Sequence, residues 1–305
     1  MSGIIEVITS MDIPSDETVE TNIPGVKVFR GVSYMPRQPV LYDPGICVLL
    51  QGRKTVSLGG AQFAYDVDNY LVVSVNIPLD AEIFANPEEP VIGMIIDIDM
   101  TQLHDLLSIT GFPLGLSERL SLTKPRAVEP ARMEPEMRNT IERMASCLTS
   151  KVEARVLGPG LVREVLYRAM CGPHSSALFA LANHSGPFAR IAHVLRIIQT
   201  KYAEKLDVDY LAREAHMGAS AFHQTFKEVT SESPMQYLKI IRLTKARDLI
   251  MQEKEKVYIA ADSVGYESTS QFSREFKRYF GESPSLIDRQ SKHDNVAKDD
   301  IKYVQ

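Results

Sequence analysis

The sequence lacks the features that mark membrane, secreted and fibrous proteins. Its 305 residues include no tryptophan, and 44% of them are hydrophobic and 24% charged, which are ordinary globular proportions. No run approaches the ~18–20 consecutive apolar residues of a membrane-spanning helix. The first 20 residues contain no basic segment followed by an apolar core, so no secretory signal is predicted. We therefore expect a cytoplasmic protein that has no membrane partner.

Cysteine is scarce and is not arranged for disulfides or zinc. The three cysteines, Cys47, Cys147 and Cys171, are an odd number and lie far apart. This spacing is typical of a reducing compartment and argues against a zinc site built on cysteine. Cys47 lies in the apolar run ICVLL without a positive neighbour in sequence, which favours a buried, inert cysteine over a redox or electrophile sensor. For Cys147 and Cys171 a structural interpretation is likewise preferred.

Motifs for catalysis are absent, and so is histidine from the first third of the chain. The sequence contains no G-x-S-x-G, P-loop or G-x-G-x-x-G pattern. All seven histidines lie at or after His104, so residues 1–103 contain none. The sequence therefore predicts no enzyme, no cofactor and no metal site.

Charge is unevenly distributed along the chain. The net charge is −5; residues 1–186 carry 15 basic and 22 acidic residues, whereas residues 187–305 carry 19 and 17. Because this asymmetry is mild, nucleic-acid binding would depend on where the charges lie rather than on bulk charge. The near-neutral C-terminal third also counts against a non-specific architectural DNA protein, whose affinity depends on neutralising phosphates.

A repeat with an offset of fifty residues lies in the C-terminal third. Residues 226–234 read FKEVTSESP and residues 276–284 read FKRYFGESP. Two copies are too few for a solenoid, so the sequence predicts a duplicated supersecondary unit. The identical pairs are Phe226/Phe276, Lys227/Lys277, Glu232/Glu282, Ser233/Ser283 and Pro234/Pro284.

Each copy is predicted to fold as a helix, a tight turn and a second helix. In the second copy, Gly265 ends a helical run over 257–264, and Ser268 with Gln271 forms a capping box for the next helix. In the first copy, Asp207 is expected to cap a helix over 208–215, and His216 replaces the turn glycine, so this turn should be less regular. The core-facing stripes at helical spacing are Phe222, Phe226 and Val229, then Phe272, Phe276 and Phe280.

The pair Ser233-Pro234 predicts the start of a long helix that joins the two units. Serine is a preferred N-cap, and proline fits the first helical position. The helix is expected to run to about Gln252, which would hold the two units rigidly together. Ser283-Pro284 repeats the same start signal after the second unit.

The faces opposite the aromatic stripes carry polar and basic side chains. Gln and Arg have the bidentate geometry that reads adenine and guanine edges in a major groove, and Lys or Arg can bind phosphates. The alternative is a solvated helix face with no ligand. Because two such faces are duplicated, we predict binding to double-stranded promoter DNA. The outward residues are Ser220, His223, Gln224 and Lys227, then Ser270, Gln271, Arg274, Lys277 and Arg278.

At these residues the sequence resembles the AraC/XylS family of bacterial transcription regulators. The resemblance rests on IAADSVGYESTSQFSREFKRYFGESPS (259–285) and, more loosely, on LAREAHMGASAFHQTFKEVTSESPMQYLKIIRLTKARDLI (211–250). It implies that both recognition helices of one chain enter successive major grooves, and that RNA polymerase is a partner. The base-reading positions then fall on Ser220, His223, Gln224, Ser270, Gln271 and Arg274, while Lys227, Lys277 and Arg278 are assigned to phosphates.

This sequence departs from the family pattern at a few positions of the C-terminal region. Gln224 stands where arginine is common, and Gly218 stands where serine is common. Asp288 lies where basic residues often follow the second Ser-Pro pair. The first recognition helix is therefore expected to attract phosphates less than usual.

Residues 22–105 read as an all-β sandwich or small barrel. Short β-branched runs alternate with Pro, Gly, Asn and Asp, and the pattern becomes helical from about Met100. Through NIPGVKVFR and LYDPGICVLLQGRKTVSLGGAQFAYDVDNYLVVSVNIPLDAEI, the region resembles the cupin-like N-terminal domain of one AraC-type subgroup. Cupin enzymes hold a metal with histidines, which residues 1–103 lack, so an enzyme of this type is the disfavoured alternative.

The predicted fold class is α+β multidomain, with an N-terminal cupin-like β-barrel and flanking helices, and a C-terminal all-α domain with two helix-turn-helix units. The predicted segments are a loose N-terminus over 1–21, a sensor or dimerisation domain over 22–171, a linker over 172–186, the DNA-binding domain over 187–290 and a tail over 291–305. Within the predicted linker, the apolar stretch ALFALA could pack against a domain or form part of a flexible connection.

Two interpretations of the barrel stay open at this point. One is a sensor whose apolar cavity binds a small-molecule effector; the other is a scaffold with a filled interior. Tyr42, Tyr65 and Tyr70 would line a pocket or simply pack. Arg53 and Lys54 lie at a predicted turn, where exposed charges are preferred over an anion site.

The stripe Met137, Ile141, Met144 and Leu148 has two interpretations. It either forms a homodimer contact or packs in the core.

Overall fold

The computed structural model describes residue 8 and residues 13–110, 125–172, 175–182 and 186–288. Within these residues, the N-terminal half contains ten strands that form two antiparallel sheets. The strands are β1 (Glu17–Glu20), β2 (Val26–Gly31), β3 (Met35–Tyr42), β4 (Gly45–Gln51), β5 (Arg53–Leu58), β6 (Ala61–Tyr65), β7 (Asn69–Val73), β8 (Ile77–Phe84), β9 (Val91–Asp97) and β10 (Val128–Arg132).

The two sheets give the N-terminal domain the expected barrel-like form. One has six strands in the order β1-β2-β9-β4-β7-β10, and the other has four in the order β3-β8-β5-β6. Every pairing is antiparallel, which suits the short connections between consecutive runs. The apolar run of β4 packs fully inside, with Ile46 and Val48 both at 0% exposure. We refer to this two-sheet unit as the barrel.

Ten helices are described, and they fall into two groups. Helices α1 (Met100–Thr110), α2 (Pro135–Cys147), α3 (Lys151–Cys171) and α4 (Ser176–Ala182) flank the barrel. The C-terminal group consists of α5 (Gly186–Lys201), α6 (Val208–Glu214), α7 (Ala219–Thr230), α8 (Pro234–Met251), α9 (Val257–Ser263) and α10 (Thr269–Phe280). The all-α C-terminal domain with two helix-turn-helix units, α6–α7 and α9–α10, is therefore confirmed.

The local signals in the sequence explain where the C-terminal helices begin. The Asp207 side chain accepts a 2.7 Å hydrogen bond from the Tyr210 amide, and Ser233 accepts one from Gln236 at the start of α8. At the second turn, Gly265 has φ +85°, and a Cβ there would lie 2.4 Å from the Ala203 carbonyl oxygen. At the equivalent turn His216 adopts φ +50°, the less regular conformation expected of a non-glycine residue.

The hydrophobic core divides at an unexpected place. The barrel, its flanking helices and the first helix-turn-helix unit share one continuous core, which includes Phe222, Phe226 and Tyr237. The second unit has its own core, built on Phe272, Phe276 and the second half of α8. Because of this division, the first unit packs as an extension of the N-terminal domain.

Several boundaries differ from those expected. Residues 17–20, assigned to the loose N-terminal segment, form β1, because Val19 packs on the core beside β2. In the expected linker, residues 176–182 form the buried helix α4, with Leu178 at 0% exposure. Strand β10 lies where only helices were expected; its Pro130 and Glu129 hid the strand pattern, and it is held by pairing with β7. The tail over 291–305 lies outside the described residues.

The stripe on α2 proved to be part of the core of the chain. Met137, Ile141, Met144 and Leu148 are all between 0% and 6% exposed. Core packing therefore accounts for their spacing, and a dimer contact through these side chains is wrong because none of them reaches the surface.

Candidate DNA-binding surface and barrel cavity

Helix α7 exposes the face that the sequence assigned to DNA. Ser220, His223, Gln224 and Lys227 are all exposed, while Phe222 and Phe226 on the opposite face are completely buried. The two phenylalanine rings lie 5.6 Å apart and Phe226 lies 5.6 Å from Tyr237 of α8. This aromatic packing fixes the rotation of α7 and so fixes which side chains face outward. The N-cap of α7, Gly218, makes no side-chain capping bond.

Helix α10 repeats this arrangement with more positive charge. Ser270, Gln271, Arg274, Lys277 and Arg278 are all exposed. Phe272 and Phe276 are buried with centroids 5.3 Å apart, whereas Phe280 is half-buried against Phe276. The face thus carries three cations, compared with the single Lys227 of α7. Positive charge at the surface of the second unit therefore exceeds that of the first.

The outward glutamines of both units are held by a glutamate one turn further along the helix. Gln224 Nε2 donates to Glu228 at 3.0 Å, and Gln271 Nε2 donates to Glu275 at 3.4 Å. Only half of the predicted capping box therefore forms at α10: Ser268 accepts from the Gln271 amide, but the Gln271 side chain turns to Glu275. Each amide group retains a second N–H and its carbonyl oxygen, which are the groups that read adenine.

Helix α8 connects the two units and anchors both. Its 18 residues span about 27 Å at the α-helical rise of 1.5 Å per residue. Arg242 donates to the Tyr202 and Glu204 carbonyl oxygens at 2.7 and 2.9 Å, which ties α8 to the end of α5. Arg247 stacks over the Phe280 ring at 5.0 Å, which ties the other end of α8 to α10.

The barrel contains a cavity of about 690 Å³ between its two sheets. That volume lies within the range of sites that bind small molecules. Apolar side chains from both sheets form much of its wall, and two lysines, Lys27 and Lys54, reach it. The apolar wall residues include Phe29, Met35, Val40, Leu41, Ala81, Ile83 and Ile95.

Lys54 is buried, so the expectation of an exposed turn charge is wrong for this residue. It is 9% exposed, whereas Arg53 beside it is exposed. The physical reason is strand alternation: Lys54 shares the inward face of β5 with Val56, which is 0% exposed. Its ammonium lies 4.0 Å from the centroid of the Phe29 ring, and burial lowers the pKa of Lys54 to about 8.

Cys47 also lines the cavity and is buried as expected. It is 2% exposed, and burial raises the pKa of its thiol to about 11 although Lys54 acts in the opposite direction. The positive neighbour that the sequence did not reveal is therefore present, but burial is the stronger effect. Among the three tyrosines, Tyr42 lines the cavity, while Tyr65 and Tyr70 are buried outside its lining.

Among the described residues, two side-chain hydrogen bonds join the barrel to α8. Arg247 on α8 donates to Gln38 Oε1 at 2.8 Å, and Gln38 lines the cavity. Tyr237, also on α8, donates its hydroxyl to the Asn76 carbonyl oxygen at 2.7 Å. The cavity wall is thus in direct contact with α8, the helix between the two helix-turn-helix units.

Comparison with known proteins places the chain in a family. Residues 22–177 match the family described as "AraC-type transcriptional regulator N-terminus", and residues 211–290 match a helix-turn-helix domain. The chain belongs to the AraC-type family of transcriptional regulators. The resemblance to this family that the sequence suggested is therefore confirmed, together with the fold class.

Curated transcriptional regulators match about a third of the chain or less. The Msm operon regulatory protein of Streptococcus mutans is 29% identical over 103 residues, which are 34% of this chain and 37% of that protein. The transcriptional activator RclR of Escherichia coli is 39% identical over 77 residues, which are 25% of this chain and 27% of RclR. The matched part thus spans about a third of the length of these curated relatives.

A solved structure matches the fold over most of the chain. ToxT from Vibrio cholerae, in a structure with bound unsaturated fatty acid, superposes with a TM-score of 0.61 at 12% identity, covering 86% of this chain and 94% of ToxT. In the described ranges, no helix combines the length and the apolar composition required to cross a membrane.

The sequence predicted the exposed faces of α7 and α10, but it did not predict the burial of Lys54 or the contact of Gln38 with Arg247. A usable signal existed for Lys54, because the alternation of β5 places it on the face of Val56. No comparable signal existed for Gln38 and Arg247, since their contact joins positions 209 residues apart.

Proposed function

We propose that this chain regulates transcription by binding a specific DNA sequence with α7 and α10 in successive major grooves. The observation that carries this proposal is the duplicated, exposed polar face on both helices, held at a fixed separation by α8. A separation of about one turn of DNA, ~34 Å, is what paired recognition helices require. The proposal assigns the chain a regulatory and not a catalytic activity.

The two recognition helices are expected to contribute differently. Ser220, His223 and Gln224 on α7, with Ser270, Gln271 and Arg274 on α10, are proposed to read bases. Lys227, Lys277 and Arg278 are proposed to bind phosphates. Because α10 carries three exposed cations and α7 one, the second unit should supply more of the salt-dependent affinity.

The test is a binding assay on operator DNA identified by genome-wide mapping of bound fragments. Arg274→Ala should weaken binding by about 1–3 kcal/mol and relax the preference for one base pair. Lys277→Ala should weaken binding to all sequences and reduce the salt slope by about 1. Arg155→Ala is the matched control, because Arg155 is an exposed arginine on α3, in the other domain. Equal affinity for every sequence, unaffected by Arg274→Ala, would refute the proposal.

We also propose that a small molecule in the barrel cavity modulates DNA binding. The cavity volume of about 690 Å³ and its contact with α8 through Gln38 support this. The ToxT structure with a bound fatty acid supports a ligand site in a protein of this fold. The alternative, a barrel that serves only as a scaffold, predicts that no small molecule changes operator affinity. Titrating operator binding against metabolite pools separates the two.

Homodimerisation and contact with RNA polymerase stay predictions. With the α2 stripe buried, one apolar surface that a second copy could cover lies on α3, where Val152 is 71% exposed and Val156 70%. Val156→Glu should convert a dimer to monomers in analytical ultracentrifugation. An unchanged sedimentation coefficient would argue against this surface.

A further inference from the structure

Lys54 is a buried cation with no acidic partner in the part of the chain that the structure describes. None of the carboxylates of the described residues forms an ion pair with it. Its ammonium instead makes a cation–π contact with the ring of Phe29, 4.0 Å from the ring centroid. A buried charge is costly unless it is paired and hydrogen-bonded. An ammonium carries three donors, and an aromatic ring does not satisfy all of them.

The acidic residues that line the same cavity are largely engaged elsewhere. Asp97 pairs with Lys27 at 3.4 Å, and Asp43 accepts a 2.6 Å hydrogen bond from Asn76. Asp16 accepts from the backbone amides of Val32 and Ser33 at 2.8 and 3.2 Å. Lys27 therefore has its counter-ion within the protein, whereas the charge of Lys54 is left for an occupant of the cavity.

A second buried donor lies on the same face. Tyr65 on β6 is the cross-strand partner of Lys54 on β5, so the two side chains project to the same side of the sheet. Tyr65 is 1% exposed, and its hydroxyl lies close to the hydroxyl of Tyr42, which lines the cavity. Of Lys54 and Tyr65, only Lys54 lines the cavity, so it is the group that a bound anion would meet.

We propose that the cavity binds a small organic carboxylate, whose charged group meets Lys54 and whose apolar part lies between the two sheets. The apolar wall carried by Val40, Leu41 and Ile95 gives the ligand body its contact area. An inorganic anion would leave that wall uncovered, and a neutral apolar molecule would leave Lys54 unpaired. This inference rests on the proposed effector site and specifies its ligand class.

The test uses calorimetric titration of the full-length chain at pH 7 with hexanoate, octanoate and phenylacetate. The corresponding amides are neutral probes of nearly the same shape, and inorganic phosphate is an anion without an apolar body. At least one acid should bind at least tenfold more tightly than its amide, and phosphate should not bind measurably. Lys54→Met should remove the preference for the acid, and Lys54→Arg should restore part of it. Arg53→Met, the exposed neighbour on β5, is the control and should leave binding unchanged.

The pH dependence offers a second readout. The titratable groups around Lys54 are Cys47 on β4 and Tyr65 on β6, with Tyr42 and Asp97 further along the wall. Burial raises the pKa of Cys47 to about 11 and that of Tyr65 well above its ordinary value, so both stay protonated near neutrality. Affinity for the acid should therefore fall between pH 7 and pH 9 as Lys54 loses its proton, and Lys54→Met should not show this fall.

The outcomes separate this inference from the proposed regulatory function. Equal binding of acids and amides, a preference for the acid retained in Lys54→Met, or no binding by any of the three acids would overturn it. Operator binding without ligand is measured in parallel. If Lys54→Met still binds operator, the variant is folded and its loss of acid binding is interpretable. If wild-type chain binds acids but no operator, the regulatory proposal fails and the carboxylate site stands.

Discussion

Arg247 donates a 2.8 Å hydrogen bond to Gln38, and the same guanidinium stacks over Phe280 of α10 at 5.0 Å. Gln38 lies on β3 and lines the barrel cavity. A single side chain thus touches the cavity wall on one side and the second recognition helix on the other. A ligand that shifts β3 would change the position of α8 and α10 by this contact, which gives the proposed regulation a physical route.

This contact predicts that Gln38 transmits ligand binding to DNA binding. Gln38→Ala removes the acceptor on β3, so the coupling free energy between the cavity ligand and operator DNA, typically about 1–3 kcal/mol, should fall by at least half. Operator affinity is measured with and without a binding carboxylate. Arg37→Ala on the same strand is the control, because Arg37 is exposed and pairs with Asp80 instead. Unchanged coupling in Gln38→Ala would exclude this route.

The turn glycines of the second unit predict two different stability costs. Gly265 and Gly281 have nearly the same left-handed φ, +85° and +81°. A Cβ at Gly265 would also meet the Ala203 carbonyl oxygen at 2.4 Å, whereas at Gly281 no atom lies within 4 Å. Gly281→Ala should therefore cost about 1 kcal/mol from backbone strain alone, and Gly265→Ala about 3 kcal/mol or more. Urea unfolding of the two variants measures the difference, and equal losses would show that the close approach adds nothing.

The C-terminal domain could be predicted almost residue by residue because its signals are local. The N-caps at Asp207 and Ser233, the glycine at 265 and the aromatic stripes each act within one helical turn. Predicted helices over 257–264 and from 234 to about 252 differ from α9 and α8 by a single residue at their ends.

The barrel was predictable as a class, but its site was not. The burial of Lys54 follows from sheet pairing, and the contact of Gln38 with Arg247 follows from the packing of two domains. Local sequence patterns predict neither the pairing nor the packing. Strand β10 depends in the same way on β7, its partner in the sheet. A strand whose pairing partner is distant in sequence can be predicted only if polar and apolar residues alternate clearly along it. In β10, Glu129 and Pro130 break that alternation.

Glu129 predicts a pH dependence of stability. It is 6% exposed on β10, its Oε2 has no hydrogen-bond partner within the described residues, and burial raises its pKa to about 7 although Arg126 acts in the opposite direction. In the unfolded chain a glutamate titrates near its ordinary value of about 4.3. Between these two values the folded state binds more protons than the unfolded state, so the contribution of Glu129 to the free energy of unfolding falls as pH rises from about 4.3 to about 7.

Glu129→Gln should remove this loss, because the amide is neutral at every pH and keeps the shape of the protonated acid. The variant should be about 1–3 kcal/mol more stable than wild type at pH 8 and nearly equal to it at pH 4.5. Urea unfolding at several pH values gives the difference between the two proteins, in which the other titrating groups cancel. Glu136→Gln, an exposed glutamate at the start of α2, should track wild type throughout. A stability difference between Glu129→Gln and wild type that does not change with pH would mean that the pKa of Glu129 is the same in the folded and unfolded states, so that burial does not raise it.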